Sequence, residues 1–241
     1  MFLKRILTIL NTLDSKYRLE MKKFAIVNIQ GGLGNQIFQY AFALHLKEKD
    51  LRTYCDIHFF DTNMKFPRSL ELTPEDFGIK SIKFKNNRVF FMMNTFFHEN
   101  DTFNDSEFKF LNRFVGYYQD FNFVEKQKNK IRKVLKLENI TQKKDKVAVH
   151  IRQNDYKEIG QELTNEYYKN SINKLLKINK NLVFDIFTDD KDLNLDLKIF
   201  KNINKIYYPD TQIKPIEAFR EMSSYEYFII ANSSFSALAA F

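Results

Sequence analysis

Hydrophobic and polar positions along this chain come in blocks that alternate strand with helix. "FAIVNIQ" (24–30) is a continuous apolar run, as expected of a strand covered on both faces. "NQIFQYAFALHLKEK" (35–49) follows, with Ile37, Phe38, Ala41 and Leu44 at helical spacing. "RTYCDI" (52–57) reads as a second strand, and "LTPEDFGI" as a short helix and turn. Residues 61–115 otherwise carry no clear period. Beyond Lys146 the blocks resume. Strands are expected at 147–152, 182–189, 204–209 and 225–232, with helices at 165–179, at 215–224 behind Pro215, and from Ser233 onward. Repeated strand–helix units imply a parallel sheet with helices on both faces. Two such runs imply an α/β protein of two domains with a cleft between them, bounded at 21–140 and 141–241. Residues 1–20 read as a flexible extension or the product of an upstream start codon, since Met21 is a natural opening for the first strand.

Composition narrows the function classes. The chain has 241 residues, 44% of them hydrophobic and 26 of them Phe, enough to build a sizeable core. The single cysteine, Cys55, rules out an internal disulfide and fits a reducing compartment. With four His besides, a structural zinc site is not expected. No run approaches the roughly 18 apolar residues of a membrane span, so the protein reads as cytoplasmic. A net charge of +8 points to an anionic partner. Much of that charge lies in 126–146, where Ile131, Val134, Leu135 and Leu137 mark one buried face. A solvated helix followed by a connector accounts for this stretch. A phosphate-binding or anionic-membrane patch is the second reading, and dedicated nucleic-acid binding is set aside for want of interleaved aromatics.

Chemistry is expected at the carboxyl ends of the strands, where open α/β sheets collect ligands. "VHIRQNDY" ends one strand with His150 and Arg152 on the same side, followed by Asp155. A guanidinium offers a planar fork for two phosphate oxygens, although a plain ion pair with Asp155 is the bland alternative. "FTDDKD" ends the next strand with Asp189, Asp190 and Asp192. The D-x-D spacing of Asp190 and Asp192 would suit a metal held partly by substrate phosphates, but Lys191 between them opposes a cation. "IIANSSFSALAA" runs from strand through Asn232, Ser233 and Ser234 into a helix, where the serines serve either as caps or as an anion site. "GGLGNQ" spends three of the chain's six glycines, Gly31, Gly32 and Gly34, on one turn. Asn35 and Gln36 enter the following helix as if to hydrogen-bond something in the cleft. With Asp56 about 20 residues on, the same turn also suits a dinucleotide fingerprint, which makes a nicotinamide-dependent reductase a rival.

Taken in order, these pieces resemble the α-1,2-fucosyltransferases of glycosyltransferase family 11, in their bacterial soluble form. "GGLGNQIFQYAFAL" looks like the N-terminal signature of that family and "HIRQNDY" resembles its H-x-R-R-G-D-Y motif. "FTDD" is similar to its acidic strand end, "GYYQ" to a mid-chain element, and "PIEAFREMSS…IIANSSFSALAA" to its C-terminal donor-site block. The resemblance implies a GT-B-like fold of two Rossmann-like domains, with GDP-fucose held mainly by the C-terminal one. It implies inverting transfer of L-fucose to the 2-hydroxyl of a galactose-type acceptor on a glycan or lipid-linked saccharide, with no metal and no other cofactor. Partners would then be a nucleotide sugar and a glycan, with peripheral contact to the inner face of an anionic membrane.

The resemblance also distributes roles. Arg152 would clamp the departing diphosphate, and the Ser233–Ser234–Phe235 turn would bind it through N–H and hydroxyl groups. His150, Asp189, Glu217 and Asn232 would hold strand ends or the nucleoside. Gly31, Gly32 and Gly34 would admit the sugar, with Asn35 and Gln36 positioning it. Asp155 would act as the base or hold Arg152. Departures from the family pattern qualify this. Gln153 and Asn154 replace Arg-Gly, Ala237 and Leu238 stand where two tryptophans are usual, and the sequence stops at Phe241 inside the last helix. An incomplete C-terminal domain is therefore expected, and an inactive remnant that binds GDP or glycan is the alternative to an active enzyme. The reductase reading leaves the His150–Arg152 and Asn232–Ser234 clusters unexplained.

Overall fold

The computed structural model describes residues 22–62, 68–84, 94–96, 105–191, 193, 195–208 and 213–241. The expected N-terminal extension and Asp192 lie outside them. The described residues form two compact units. Residues 22–30, 38–62 and 73–127 make the first, and residues 31–37, 68–72 and 128–241 the second.

The first unit is built on a five-stranded, fully parallel sheet. Its strands are β1 (Phe24–Asn28), β2 (Arg52–Asp56), β3 (Lys80–Ile82), β4 (Asn94–Phe96) and β5 (Leu111–Phe114), in spatial order β3-β2-β1-β5-β4. β1 is central and buried along nearly its whole length, which is what its unbroken apolar run requires. Helix α1 (Leu33–Glu48) follows it. From Ile37 to Leu44 no residue of α1 is more than 4% exposed, so this is an enclosed helix rather than an amphipathic one. Its buried polar side chain in this unit, Gln39, is satisfied on both sides. Its Oε1 accepts from Gln30 N–H at 2.9 Å and its Nε2 donates to Gly116 C=O at 2.8 Å. The Phe content goes into this core, where Phe42 stacks on Tyr118 at 4.0 Å and meets Phe114 edge-on.

The second unit carries a four-stranded parallel sheet. Its strands are β6 (Lys143–Ile151), β7 (Val183–Thr188), β8 (Ile203–Tyr207) and β9 (Tyr225–Ile229), ordered β8-β7-β6-β9. The chain moves outward from β6 through β7 to β8, then returns to lay β9 on the other side of β6. The order therefore reverses between β6 and β9, the place where doubly wound sheets open a ligand crevice at the carboxyl ends. Helices α2 (Phe121–Lys126) and α3 (Lys128–Val134) precede this sheet. Helices α4 (Asn154–Ile159) and α5 (Asn165–Ile178) follow β6, and α6 (Pro215–Met222) and α7 (Ser234–Ala239) flank β9. One face of β6 places Val147, Val149 and Ile151 in a core with Tyr168 and Ile172 of α5. Alternation sends His150 to the opposite face.

The fold is α/β with two Rossmann-like parallel sheets, as expected of a GT-B-like chain. The border of the second unit falls at Lys128 rather than 141, because α3 packs with it. Ile131 and Leu135 are buried there, and Arg220 Nε of α6 donates to Leu135 C=O at 2.7 Å. On α3 and the turn after it, Lys130, Lys133 and Lys136 are exposed, in keeping with the solvated face expected for that stretch. No helix among the described residues is long and apolar enough to cross a membrane.

Candidate functional site

The carboxyl edge of the second sheet gathers most of the residues singled out from the sequence. Two neighbouring tyrosines of α5 fix that edge. Tyr168 OH donates to His150 C=O at 3.1 Å at the end of β6, and Tyr167 OH donates to Ile230 C=O at 2.7 Å at the end of β9. These two hydroxyl bonds tie α5 to the carboxyl ends of both strands. Both tyrosines fall in the helix expected at 165–179, and no motif in the sequence marks them.

Arg152 is the centre of the polar cluster. Its Nη2 donates to Asp155 Oδ1 at 2.6 Å, and its Nη1 lies 2.9 Å from Asp189 Oδ2. The second contact is an ion pair without hydrogen-bond alignment, since Asp189 Oδ2 has no aligned donor. Asp189 Oδ1 accepts instead from the Gln153 N–H at 2.9 Å, which ties the start of α4 to the end of β7. The Tyr156 ring lies 5.3 Å beneath the guanidinium, a cation–π contact, and its half-buried hydroxyl is pushed above the usual phenol range by burial. Arg152 Nε is buried and has no hydrogen-bond partner. The bland ion pair with Asp155 is thus present, and it does not exhaust the guanidinium.

Asp155 faces a second arginine, which sequence reading missed. Arg68 Nη2 donates to Asp155 Oδ2 at 2.7 Å, so one carboxylate bridges two guanidiniums, one on each oxygen. No local signal marks Arg68; it lies 87 residues from its partner. Lys157 pairs with Asp190, so that carboxylate has a cation of its own.

His150 is buried, and burial together with the nearby Arg152 charge lowers its pKa to about 3. It is neutral at physiological pH. Its Nδ1 has no hydrogen-bond partner, and its ring lies 5.6 Å from that of Phe235. Phe235 in turn meets Phe219 of α6 edge-on at 5.4 Å.

The serine turn and the glycine turn belong to the same unit, and they touch each other. Ser233 caps α7 through its side chain, which accepts from Phe235 N–H at 3.3 Å. Ser234 Oγ donates to Asn35 Oδ1 at 2.9 Å. A Cβ on Gly34 would sit 2.5 Å from Phe235 N and 2.6 Å from Ser234 C, so the absent side chain makes room for this turn. Gly31 takes a left-handed φ of 78°, and a Cβ on Gly32 would meet nothing within 4 Å.

Three expected roles change as a result. The close approach at Gly34 is to the chain's own backbone, not to a sugar. Gln36 has no capacity left for a ligand. It is fully buried, its Nε2 donates to Gly31 C=O and Ser69 C=O, and its Oε1 accepts from Glu71 N–H and Leu72 N–H. Glu217 is exposed and accepts from Lys214 N–H at the start of α6, a capping contact. Asn232 is exposed at the end of β9. The reductase reading also loses its acidic residue. Asp56 is 3% exposed, and its Oδ1 is bound by the N–H groups of His58 and Phe84 at 3.0 and 3.1 Å. Burial holds its pKa above the usual carboxylate range despite those bonds.

The family model described as glycosyl transferase family 11 matches residues 79–241. An alpha-1,2-colitosyltransferase of Escherichia coli is 27% identical over 254 residues, covering 88% of this chain and 84% of that protein. Among solved structures, the dodecameric iron-containing heptosyltransferase TibC in complex with ADP-D-beta-D-heptose is similar at 14% identity and a TM-score of 0.46. It covers 91% of this chain, which spans 57% of the heptosyltransferase. POFUT1 in complex with GDP is similar at 11% identity and a TM-score of 0.40, over 91% of this chain and 94% of that one.

Proposed function

The chain belongs to glycosyl transferase family 11, and from that premise we propose that it transfers L-fucose from GDP-fucose, with inversion, to the 2-hydroxyl of a galactose-type acceptor. The observation that carries the reading is Arg152. It is a guanidinium at the carboxyl edge where strand order reverses, with a buried N–H donor still unspent. In this transfer the acceptor oxygen bonds to the anomeric carbon as the bond from that carbon to the β-phosphate oxygen breaks. The acceptor proton passes to a base, and negative charge collects on GDP. Donors fixed in advance where charge develops are usually the largest catalytic contribution, about 3–4 kcal/mol for one lost donor. Arg152, fixed by Asp155 and Asp189 and backed by Tyr156, is preorganised in that sense.

Asp155 is assigned the positioning role rather than that of base, because each of its oxygens already accepts from an arginine. His150 stays neutral and packs against Phe235, where it shapes the strand end.

Incubation with GDP-fucose and a panel of galactosides, followed by linkage analysis, tests the proposal. An α-1,2-fucosylated product is expected. GDP binding without product would support the inactive-remnant reading, and neither binding nor product would overturn both. The name of the E. coli relative favours a second donor, a nucleotide-linked colitose. Product from that donor alone would move the specificity to it.

A further inference from the structure

We infer that Arg68 is a second diphosphate-binding residue, and that Gln36 is the positioning residue that brings it to the site. The inference rests on the reading of Arg152 as the diphosphate clamp and extends it to a two-guanidinium grip.

The geometry begins with Asp155. Its Oδ1 accepts from Arg152 at 2.6 Å and its Oδ2 from Arg68 at 2.7 Å, so one small anion holds two guanidiniums together. Two cations spaced to share a carboxylate are also spaced to share a phosphate, whose oxygens accept the same forked donors. Arg68 and Asp155 keep 29% and 24% of their side-chain surface exposed, within reach of a ligand from solvent. Asp189 lies deeper, with only 10% exposed, and is tied to Arg152 and to the Gln153 N–H. The reachable part of the cluster therefore holds two positive charges against the single carboxylate of Asp155.

Arg68 sits in an irregular segment, and such a segment is a poor platform unless something anchors it. Gln36 is that anchor. Its side-chain amide is fully buried and spends all four bonds on backbone, three of them on Ser69, Glu71 and Leu72, immediately after Arg68. The fourth bond goes to Gly31, whose left-handed turn starts the same motif. Gln36, in the first turn of α1, therefore reaches the diphosphate indirectly, by fixing the segment that presents Arg68.

Calorimetric titration of the full chain with GDP and with GMP tests this, because the two nucleotides differ by the β-phosphate. The wild-type protein is expected to prefer GDP, and Arg152→Ala to lose that preference. Arg68→Ala, on a partly exposed side chain, is expected to weaken GDP about ten- to hundredfold, as for a lost charge-assisted bond. Its GMP affinity should stay within about twofold, and Arg68→Lys should recover part of the loss. An Arg68→Ala protein whose preference for GDP is unchanged or increased, beside an Arg152→Ala protein that has lost it, would overturn this inference alone. A wild-type protein with no preference for GDP over GMP would overturn the diphosphate reading, and this inference with it.

Discussion

Both units carry polar groups at the carboxyl ends of their strands, and they settle those groups differently. In the first, Asp56 at the end of β2 is closed off by two backbone N–H groups, and Arg113 Nε of β5 donates to Asn28 Oδ1 of β1 at 3.0 Å. In the second, Arg152 Nε beside Asp155 and Asp189 has no hydrogen-bond partner, nor do Asp189 Oδ2 and the buried His150 Nδ1. An unmet buried donor costs roughly 1–3 kcal/mol, so it persists only where something else compensates. A carboxyl edge that satisfies itself is a scaffold. The second edge keeps an unmatched donor on Arg152 and an unmatched acceptor on Asp189, and it is the edge to which the proposal above assigns the diphosphate. His58 Nδ1 in the first unit is also unpartnered, but it lies 3.7 Å from Asp61 at a half-exposed turn rather than at a strand reversal.

The contrast can be broken most sharply by exchanging its two ends. Arg152→Ala is expected to lower transfer at least a hundredfold while circular dichroism still reports a folded chain. Asp56→Ala should instead cost about 1–3 kcal/mol of stability by stranding two N–H groups, and leave GDP affinity within twofold. If the Asp56 variant loses GDP binding as the Arg152 variant does, the two edges do not differ as described.

The glycine turn offers a test of similar size. Gly34→Ala drives a methyl into the Ser234–Phe235 backbone and should cost about 1–3 kcal/mol or more in denaturant titration. Gly32→Ala has open space and should stay within about 0.5 kcal/mol of wild type. Equal losses would show that the turn, rather than the serine contact, requires the glycines.

His150 gives a smaller, pH-dependent effect. Its pKa is about 3 in the folded chain, against about 6.5 for an unperturbed histidine. Between those values the unfolded chain binds the extra proton, so stability rises with pH across that window and is lost as pH falls through it. His150→Gln should flatten this dependence by up to about 1.4 kcal/mol per pH unit relative to wild type. Parallel stability curves for the two proteins from pH 3 to 6.5 would contradict a buried neutral imidazole. The smallest effect is at Cys55, fully buried on β2 with its thiol pushed well up by burial. It should react with a thiol reagent only at the rate of unfolding.

Strands long enough to cross a core were legible because burial on both faces leaves a continuous apolar run. The expected 24–30 and 182–189 became Phe24–Asn28 and Val183–Thr188. Residues 61–115 resisted because β3, β4 and β5 are three or four residues long and offer no period to read. The site divided along the same line. His150, Arg152 and Asp155 fall within six residues, from the end of β6 into the start of α4, whereas the Arg68–Asp155 bridge joins residues 87 apart. Gln36 stood out as unusual, but its partners are backbone atoms, which no residue pattern reveals. The turns around Gly34 and Ser234 each looked ligand-directed when read separately. Their mutual contact spans 199 residues and appears only in the folded chain.

The central claim is that the unspent donor of Arg152 waits for a diphosphate. Nuclear magnetic resonance of arginine Nε–H groups during a GDP titration measures it directly. The account predicts that the Arg152 Nε–H resonance moves and gains protection from exchange at saturating GDP, while that of Arg113, already bonded to Asn28, stays in place. An Arg152 signal unchanged while GDP binds elsewhere on the protein would contradict it.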